Sequence, residues 1–278
     1  LLASGAEVIA WDSREEARDE LLKAPTLQGR GWGGACPSES GPTAPTPSHS
    51  PEGEGSLSFA DPMDIDLTGF DGMIVSPGVP LNRHPVADKA RAAKVPLIGD
   101  IELFAQARPS LPAHKVVGIT GTNGKTTTTA LIDHIMKTAG IPTMMGGNIG
   151  LPILGQEPLA ETGVYVLELS SYQIDLSHSL ACDIAVLTNI TPDHLDRYDG
   201  FTGYCASKER LFSFQHQDQL AIIACDDDPS RMISSRINHR LNRVHASDVA
   251  EQSRWPTLQG PHNAQNVAIA VSVAQALG

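Results

Sequence analysis

The strongest constraint in the sequence is a short aliphatic run that passes directly into a glycine-rich turn and then into a helical pattern. Lys115-Val116-Val117-Gly118-Ile119-Thr120 is followed by Gly121-Thr122-Asn123-Gly124-Lys125-Thr126-Thr127-Thr128, and Leu131, Ile132, Ile135 and Met136 then fall on one helical face. Glycines let backbone N–H groups curl around phosphate oxygens, and the helix N-terminus adds positive potential. Lys125 neutralises the terminal phosphates of a nucleotide, and the Thr126 hydroxyl suits magnesium. The plain phosphate-loop pattern G-x-x-x-x-G-K-T would need glycine at Ile119; glycines stand instead at 118, 121 and 124.

Around this turn, aliphatic runs alternate with helical periodicity, which predicts an α/β chain built on a mostly parallel sheet. Strands are expected at 7–11, 72–76, 95–98, 115–120, 163–169, 183–189 and 219–224. Helices are expected at 13–23, 84–93, 100–107, 125–139, 203–213 and 262–277. Pro109 and Pro112 break the pattern after 107, so the expected division is an incomplete dinucleotide-fold (Rossmann-like) unit over 1–112 and a phosphate-loop ATPase unit over 113–278. Between Gly29 and Ser56, 17 of 28 residues are Gly, Pro or Ser. With almost nothing to bury, that stretch is expected to be a disordered loop or insertion.

Polar residues cluster where open parallel sheets bind ligands, just past strand carboxyl ends. Asp12, Ser76, Gly121 to Thr127, Glu168 and Asn189 to His194 all fall there. Glu168, one strand beyond the glycine loop, is placed as a nucleotide enzyme needs a metal-binding carboxylate, although a strand-end glutamate also serves as a solvated or capping residue. His194, in the acidic run Asp193 to Asp196, is equally compatible with a structural role, and Lys208 on its own reads as a solvated lysine.

Composition narrows the ligands. Asp and Glu number 32 against 20 Lys and Arg, a net charge of −12, and no basic run is present to hold nucleic acid. Cys36, Cys182, Cys205 and Cys225 show no C-x-x-C pairing, the pattern of reduced thiols in a cytoplasmic protein. No apolar run reaches the roughly 18 residues of a membrane span, so no membrane insertion is expected.

Five ordered stretches carry a resemblance: Gly121-Thr122-Asn123-Gly124-Lys125-Thr126, Gly146-Gly147-Asn148-Ile149-Gly150-Leu151-Pro152, Glu168-Leu169-Ser170-Ser171-Tyr172-Gln173, Asp193-His194-Leu195-Asp196-Arg197-Tyr198 and Gly260-Pro261-His262-Asn263-Ala264-Gln265-Asn266. Together they resemble the Mur ligase family, and the second and third look most like its D-glutamate-adding branch. The resemblance implies a monomeric, ATP- and Mg2+-dependent ligase of peptidoglycan synthesis. Its reaction joins D-glutamate to UDP-N-acetylmuramoyl-L-alanine through an acyl phosphate.

Carried over by position, it implies that Gly121, Thr122, Asn123, Gly124, Lys125, Thr126 and Thr127 hold the ATP phosphates, with Asn263 and Asn266 at the adenine; Asn263 alone would also read as a helix cap. Thr126, Glu168, His194 and Lys208, the last as a carbamate, would bind metal. Lys125, Glu168, His194 and Lys208 would be the catalytic set. Asn148 and Ser170 would orient the muramoyl-alanine end, Asp12 and Arg14 the uridine, and Ser76 and Gly78 the pyrophosphate. The family's first glycine turn and its C-terminal, D-glutamate-binding domain have no counterpart in the 278 residues, so the chain alone is expected to bind Mg-ATP weakly and to make no amide. The competing expectations are a non-catalytic nucleotide-binding remnant, another Mur-type ligase, or a different phosphate-loop kinase or ATPase.

Overall fold

The computed structural model describes residues 1, 5–23 and 55–278. The expected disordered insertion falls almost wholly outside the described residues, as does Cys36. The chain divides into two compact units, Leu1–Asp71 with Pro85–Val95, and Gly72–His84 with Pro96–Gly278.

The first unit holds a parallel pair, β1 (Glu7–Ala10) and β2 (Ser56–Phe59), in register from Glu7↔Ser56 to Ala10↔Phe59. Helix α1 (Glu15–Lys23) opens on Glu15 and Glu16 and closes on Lys23, a charge order that complements the helix dipole. Helix α2 (Val86–Ala93) buries Val86, Ala87 and Ala90.

The second unit begins with a two-residue parallel pair, β3 (Met73–Ile74) and β4 (Leu97–Ile98), followed by α3 (Asp100–Ala107). Glu102 on α3 is only 2% exposed, yet its carboxylate is fully used. It accepts from His178 N–H at 2.6 Å, Ser179 N–H at 2.9 Å, the Ser179 hydroxyl at 2.7 Å and the Gln106 amide at 3.0 Å. These bonds fix α3 to the 178–179 turn.

The main sheet contains β5 (His114–Thr120), β6 (Thr143–Gly147), β7 (Gly163–Glu168), β8 (Ile184–Leu187), β9 (Leu220–Ala224) and β10 (Arg240–Val244), all parallel, in the order β10-β9-β8-β5-β7-β6. Its helices are α4 (Lys125–Thr138), α5 (Ser171–Asp175), α6 (Gly200–Ser213), α7 (Asp228–Arg236) and α8 (Pro261–Leu277). Both faces are covered. Tyr165, Leu167, Ala185 and Leu187 join Tyr204 and Leu211 in one core, while Val164, Val166, Ile119 and Val186 join Ile132, Ile269 and Val273 in the other. Apolar side chains on both faces of a strand are the pattern of a doubly covered parallel sheet.

Every expected strand and helix is present, with ends moved by up to a few residues. The expected strand at 72–76 contracts to two paired residues, and the helix expected at 203–213 starts at Gly200. Strands β2, β6 and β10 and helices α5 and α7 are additions. Among the described residues no helix is long and apolar enough to cross a membrane, and Cys182, Cys205 and Cys225 are free thiols.

Candidate nucleotide site at the end of the central strand

The chain leaves β5 for the β6 edge and later returns to the opposite side at β8, so the carboxyl end of β5 is a switch point of the strand order, where open α/β sheets bind ligands. Residues 121–124 form the turn there. Gly121 has φ +145° and Gly124 φ +82°. A Cβ on Gly121 would collide with the Thr188 hydroxyl, and one on Gly124 with the Asn266 side-chain amide. Both positions therefore admit only glycine. The 14-residue α4 begins at Lys125 with its first N–H groups directed into this turn.

Segment 188–191, just past β8, holds the turn in shape. The Thr188 hydroxyl donates to Asn123 O at 2.7 Å. Asn189 accepts from Asn123 N–H on its side-chain oxygen at 3.0 Å and donates its amide to Asn123 O at 3.0 Å. Thr122 N–H donates to Asn189 O at 2.8 Å, and Thr191 N–H donates to the Thr122 hydroxyl at 3.0 Å. In the sequence Asn189 falls at a strand end, but no local pattern assigns a role to it, to Thr188 or to Thr191.

Two lysines approach the same turn. Lys125 Nζ donates to Gly121 O and Thr122 O, both at 3.0 Å, and Lys208 Nζ donates to Gly121 O at 2.8 Å. Burial lowers the Lys125 amine below the usual lysine range, with Glu168 and Asp193 acting against it. Lys208 is 1% exposed; burial first, and the charge of Lys125 second, bring its amine down to about 7. The Lys208 ammonium lies 4.6 Å from the centroid of the Tyr204 ring, whose hydroxyl sits 3.2 Å from that of Thr122. Lys208 is thus one of the most buried side chains in the chain rather than the solvated lysine its local sequence suggests.

Thr126 and Glu168 are brought together, the hydroxyl donating to Glu168 Oε2 at 2.7 Å. Glu168 Oε1 accepts from the Asn148 amide at 2.9 Å. A hydroxyl and a carboxylate side by side are hard oxygen donors of the type Mg2+ takes, so the residues present fit that ion. Among the described residues no three His, Cys, Asp or Glu side chains converge on one point. His194 is exposed, with φ +51°, its Nε2 lying 3.5 Å from Asp193 Oδ2 and its ring 5.2 Å from that of Tyr172.

Asn266, 4% exposed on α8, accepts from the Thr128 hydroxyl at 3.2 Å and so stands against α4, while Asn263 donates to Gln259 O at 3.1 Å. Gly260, not Asn263, occupies the cap position of α8. Ser170 is the N-cap of α5, forming a capping box with Gln173. Thr127 lies in the first turn of α4. Ser76 and Asn148 line one cleft of 420 Å³. Gly78 O accepts from Arg197 at 3.2 Å. In the first unit, Arg14 donates through Nε and N–H to Asp12 Oδ1 at 3.1 and 2.8 Å, and these bonds hold the Asp12 carboxyl below its usual range.

The profile of the Mur ligase middle domain matches residues 119–256. The UDP-N-acetylmuramoylalanine--D-glutamate ligase of Sphingopyxis alaskensis is 62% identical over 280 residues, covering 100% of this chain and 57% of the relative. The enzymes of the same name from Novosphingobium aromaticivorans and Zymomonas mobilis are 57% and 52% identical, again over 100% of this chain and over 57% and 59% of their own lengths. The chain therefore spans under three fifths of these relatives. Among solved structures, the UDP-N-acetylmuramate:L-alanyl-gamma-D-glutamyl-meso-diaminopimelate ligase of Neisseria meningitides superposes with a TM-score of 0.55 at 16% identity over 80% of each chain. The MurF ligase of Thermotoga maritima, solved in complex with ADP, gives 0.51 at 18% identity over 70% of this chain and 57% of that one. These two likenesses establish the fold.

Proposed function

The chain belongs to the Mur ligase family, and from that premise we propose that it carries the ATP-binding part of the ligase that adds D-glutamate to UDP-N-acetylmuramoyl-L-alanine in peptidoglycan synthesis. The observation that carries this reading is the joining of the glycine turn, Lys125, Thr126 and Glu168 into one site at the carboxyl end of β5.

In the proposed reaction the terminal alanine carboxylate attacks the γ-phosphorus of ATP, releasing ADP and leaving an acyl phosphate. The D-glutamate amine then adds to the acyl carbon, and phosphate departs as the amide forms. A free carboxylate is a poor electrophile, so the first step converts its oxygen into a leaving group. Bringing two anions together requires preplaced positive charge. Lys125 and the 121–127 backbone are assigned to the ATP phosphates. On nucleotide binding the Lys125 amine would exchange its two carbonyl partners for phosphate oxygens.

Thr126 and Glu168 would hold Mg2+, which when bound neutralises phosphate charge. Asn148 fixes the Glu168 carboxylate by its hydrogen bond. Lys208 is assigned as a carbamate formed by addition of its amine to CO2 with loss of a proton, and His194 as a second metal ligand. Asn263 and Asn266 are assigned to the adenine end, Asn148 and Ser170 to the muramoyl-alanine, Ser76 and Gly78 to the pyrophosphate, and Asp12 and Arg14 to the uridine.

The test is phosphate release by the full-length protein in the presence of Mg-ATP, UDP-N-acetylmuramoyl-L-alanine and single amino acids. D-glutamate alone should support release, and Lys125→Ala should abolish it. Release with a different amino acid in its place would move the chain to another branch of the family, and no Mg-ATP binding by calorimetry would favour a non-catalytic remnant.

A further inference from the structure

Arg197 has no part in the roles above, yet its side chain meets three successive carbonyls of one loop. It donates to Pro77 O at 3.4 Å, Gly78 O at 3.2 Å and Val79 O at 2.9 Å, across 118 to 120 residues of chain. The guanidinium carbon lies 4.3 Å from the centroid of the Tyr172 ring, which supports the fork from one side. Asn82 and Arg83, farther along the same loop, donate to Asp196 O at 3.2 and 2.9 Å. The Arg197 N–H donates to His194 O at 3.0 Å, so one residue closes the turn after His194 and ties it to the loop. These peptides are trans, which sets each N–H opposite its C=O. Carbonyls turned toward Arg197 therefore turn the Gly78 and Val79 N–H groups away from it. Val79 N–H is used inside the turn, donating to Ser76 O at 3.0 Å, whereas Gly78 N–H has no partner among the described residues. Ser76 and Gly78 are both exposed.

We propose that Arg197 is a positioning residue for the diphosphate of the UDP-linked substrate, setting loop 77–79 so that the Gly78 N–H donates to a phosphate oxygen. This rests on the functional reading above, which assigns Ser76 and Gly78 to that diphosphate. A fixed backbone N–H is a donor that phosphate oxygens take readily. The guanidinium faces carbonyls, so it acts through the loop and not on the substrate. Only a planar fork with several N–H groups spans three carbonyls at once, which explains arginine rather than lysine at this position.

Steady-state kinetics of the full-length protein test this. Arg197→Ala should raise KM for UDP-N-acetylmuramoyl-L-alanine about tenfold, and weaken UDP as a competitive inhibitor by the same factor. KM for ATP and D-glutamate and the Mg-ADP dissociation constant should not change. The backbone bond to His194 survives the substitution, so kcat should stay within about twofold. Arg197→Lys, which keeps the charge but not the fork, should recover part of the loss. Wild-type inhibition by UDP in Arg197→Ala, or parallel losses for all three substrates and Mg-ADP, would each overturn the assignment and leave the functional reading standing. Where Arg197→Ala does not fold, wild-type inhibition by UDP in Arg197→Lys would overturn it equally. A wild-type protein that neither turns over this substrate nor binds UDP would overturn the functional reading and the assignment with it.

Discussion

Lys125 and Lys208 donate to one acceptor, the Gly121 carbonyl oxygen, at 3.0 and 2.8 Å. Two amines on one oxygen bring two basic groups to the glycine turn of a chain whose net charge is −12. The arrangement has a cost in the fold, because Lys208 is buried and lies next to another cation.

That cost is pH-dependent. The Lys208 amine moves from the ordinary 10.5 to about 7 in the fold, so between those values the unfolded chain binds the extra proton and stability rises with pH. The penalty is complete below pH 7 and gone above 10.5. At 1.36 kcal/mol per unit it amounts to at most about 5 kcal/mol. Lys208→Met, which keeps the stem and removes the charge, should raise the melting temperature at pH 6 in bicarbonate-free buffer and lose that advantage by pH 10. A gain equal at both pH values would refute this.

Gly121→Ala should lower both stability and nucleotide affinity. A φ of +145° disfavours any side chain, and the added methyl meets the Thr188 hydroxyl. Strain of this type costs about 1–3 kcal/mol. Denaturant midpoints and Mg-ADP titration should both shift; a wild-type midpoint would show that the turn adapts.

Asn189→Ala removes the side chain that bonds both the N–H and the carbonyl of Asn123. Asn123 is exposed, so water replaces those bonds and stability should fall by less than about 1 kcal/mol. The turn loses its shape, and Mg-ADP affinity should fall about tenfold. An unaltered dissociation constant would mean that β5 and α4 hold the turn unaided.

Glu102→Gln tests the link between α3 and the 178–179 turn. Burial alone would raise the Glu102 carboxyl, but donation from His178 N–H, the Ser179 hydroxyl, Gln106 and Ser179 N–H outweighs it, and the carboxyl lies below its ordinary 4.5. Its contribution is therefore present above pH 4.5 and lost as pH falls through the lower folded value. The substitution should cost about 2–3 kcal/mol at pH 7, and urea unfolding should show the difference shrinking below pH 4. A difference constant with pH would refute the carboxylate's role.

The central strands were legible because β5, β7, β8 and β9 are apolar on both faces, which leaves a continuous aliphatic run in the sequence. The missed strands are edges or lie in the smaller pair: Thr143-Met144-Met145-Gly146-Gly147 contains two glycines, and Arg240-Leu241-Asn242-Arg243-Val244 is mostly polar and exposed. Lys125, Thr126 and Glu168 were readable from spacing, since loop, helix and next strand follow in order. Lys208 was not, because a lysine in a helical pattern looks solvated until the packing of α6 against β5 is known. The bracing by Thr188, Asn189 and Thr191 depends on strand order and leaves no local trace. The cap role of Ser170 did have one, in the spacing of Ser170 and Gln173.

The order of synthesis follows from the placement of β5. Its two neighbours, β7 and β8, both come later in the chain, and the bonds that shape the glycine turn reach 65 to 69 residues ahead. As the protein leaves the ribosome at about 5–20 residues per second, the turn emerges several seconds before segment 188–191 exists to hold it. A nascent chain arrested before β8 should therefore ignore nucleotide, and one extended past Thr191 should begin to bind it.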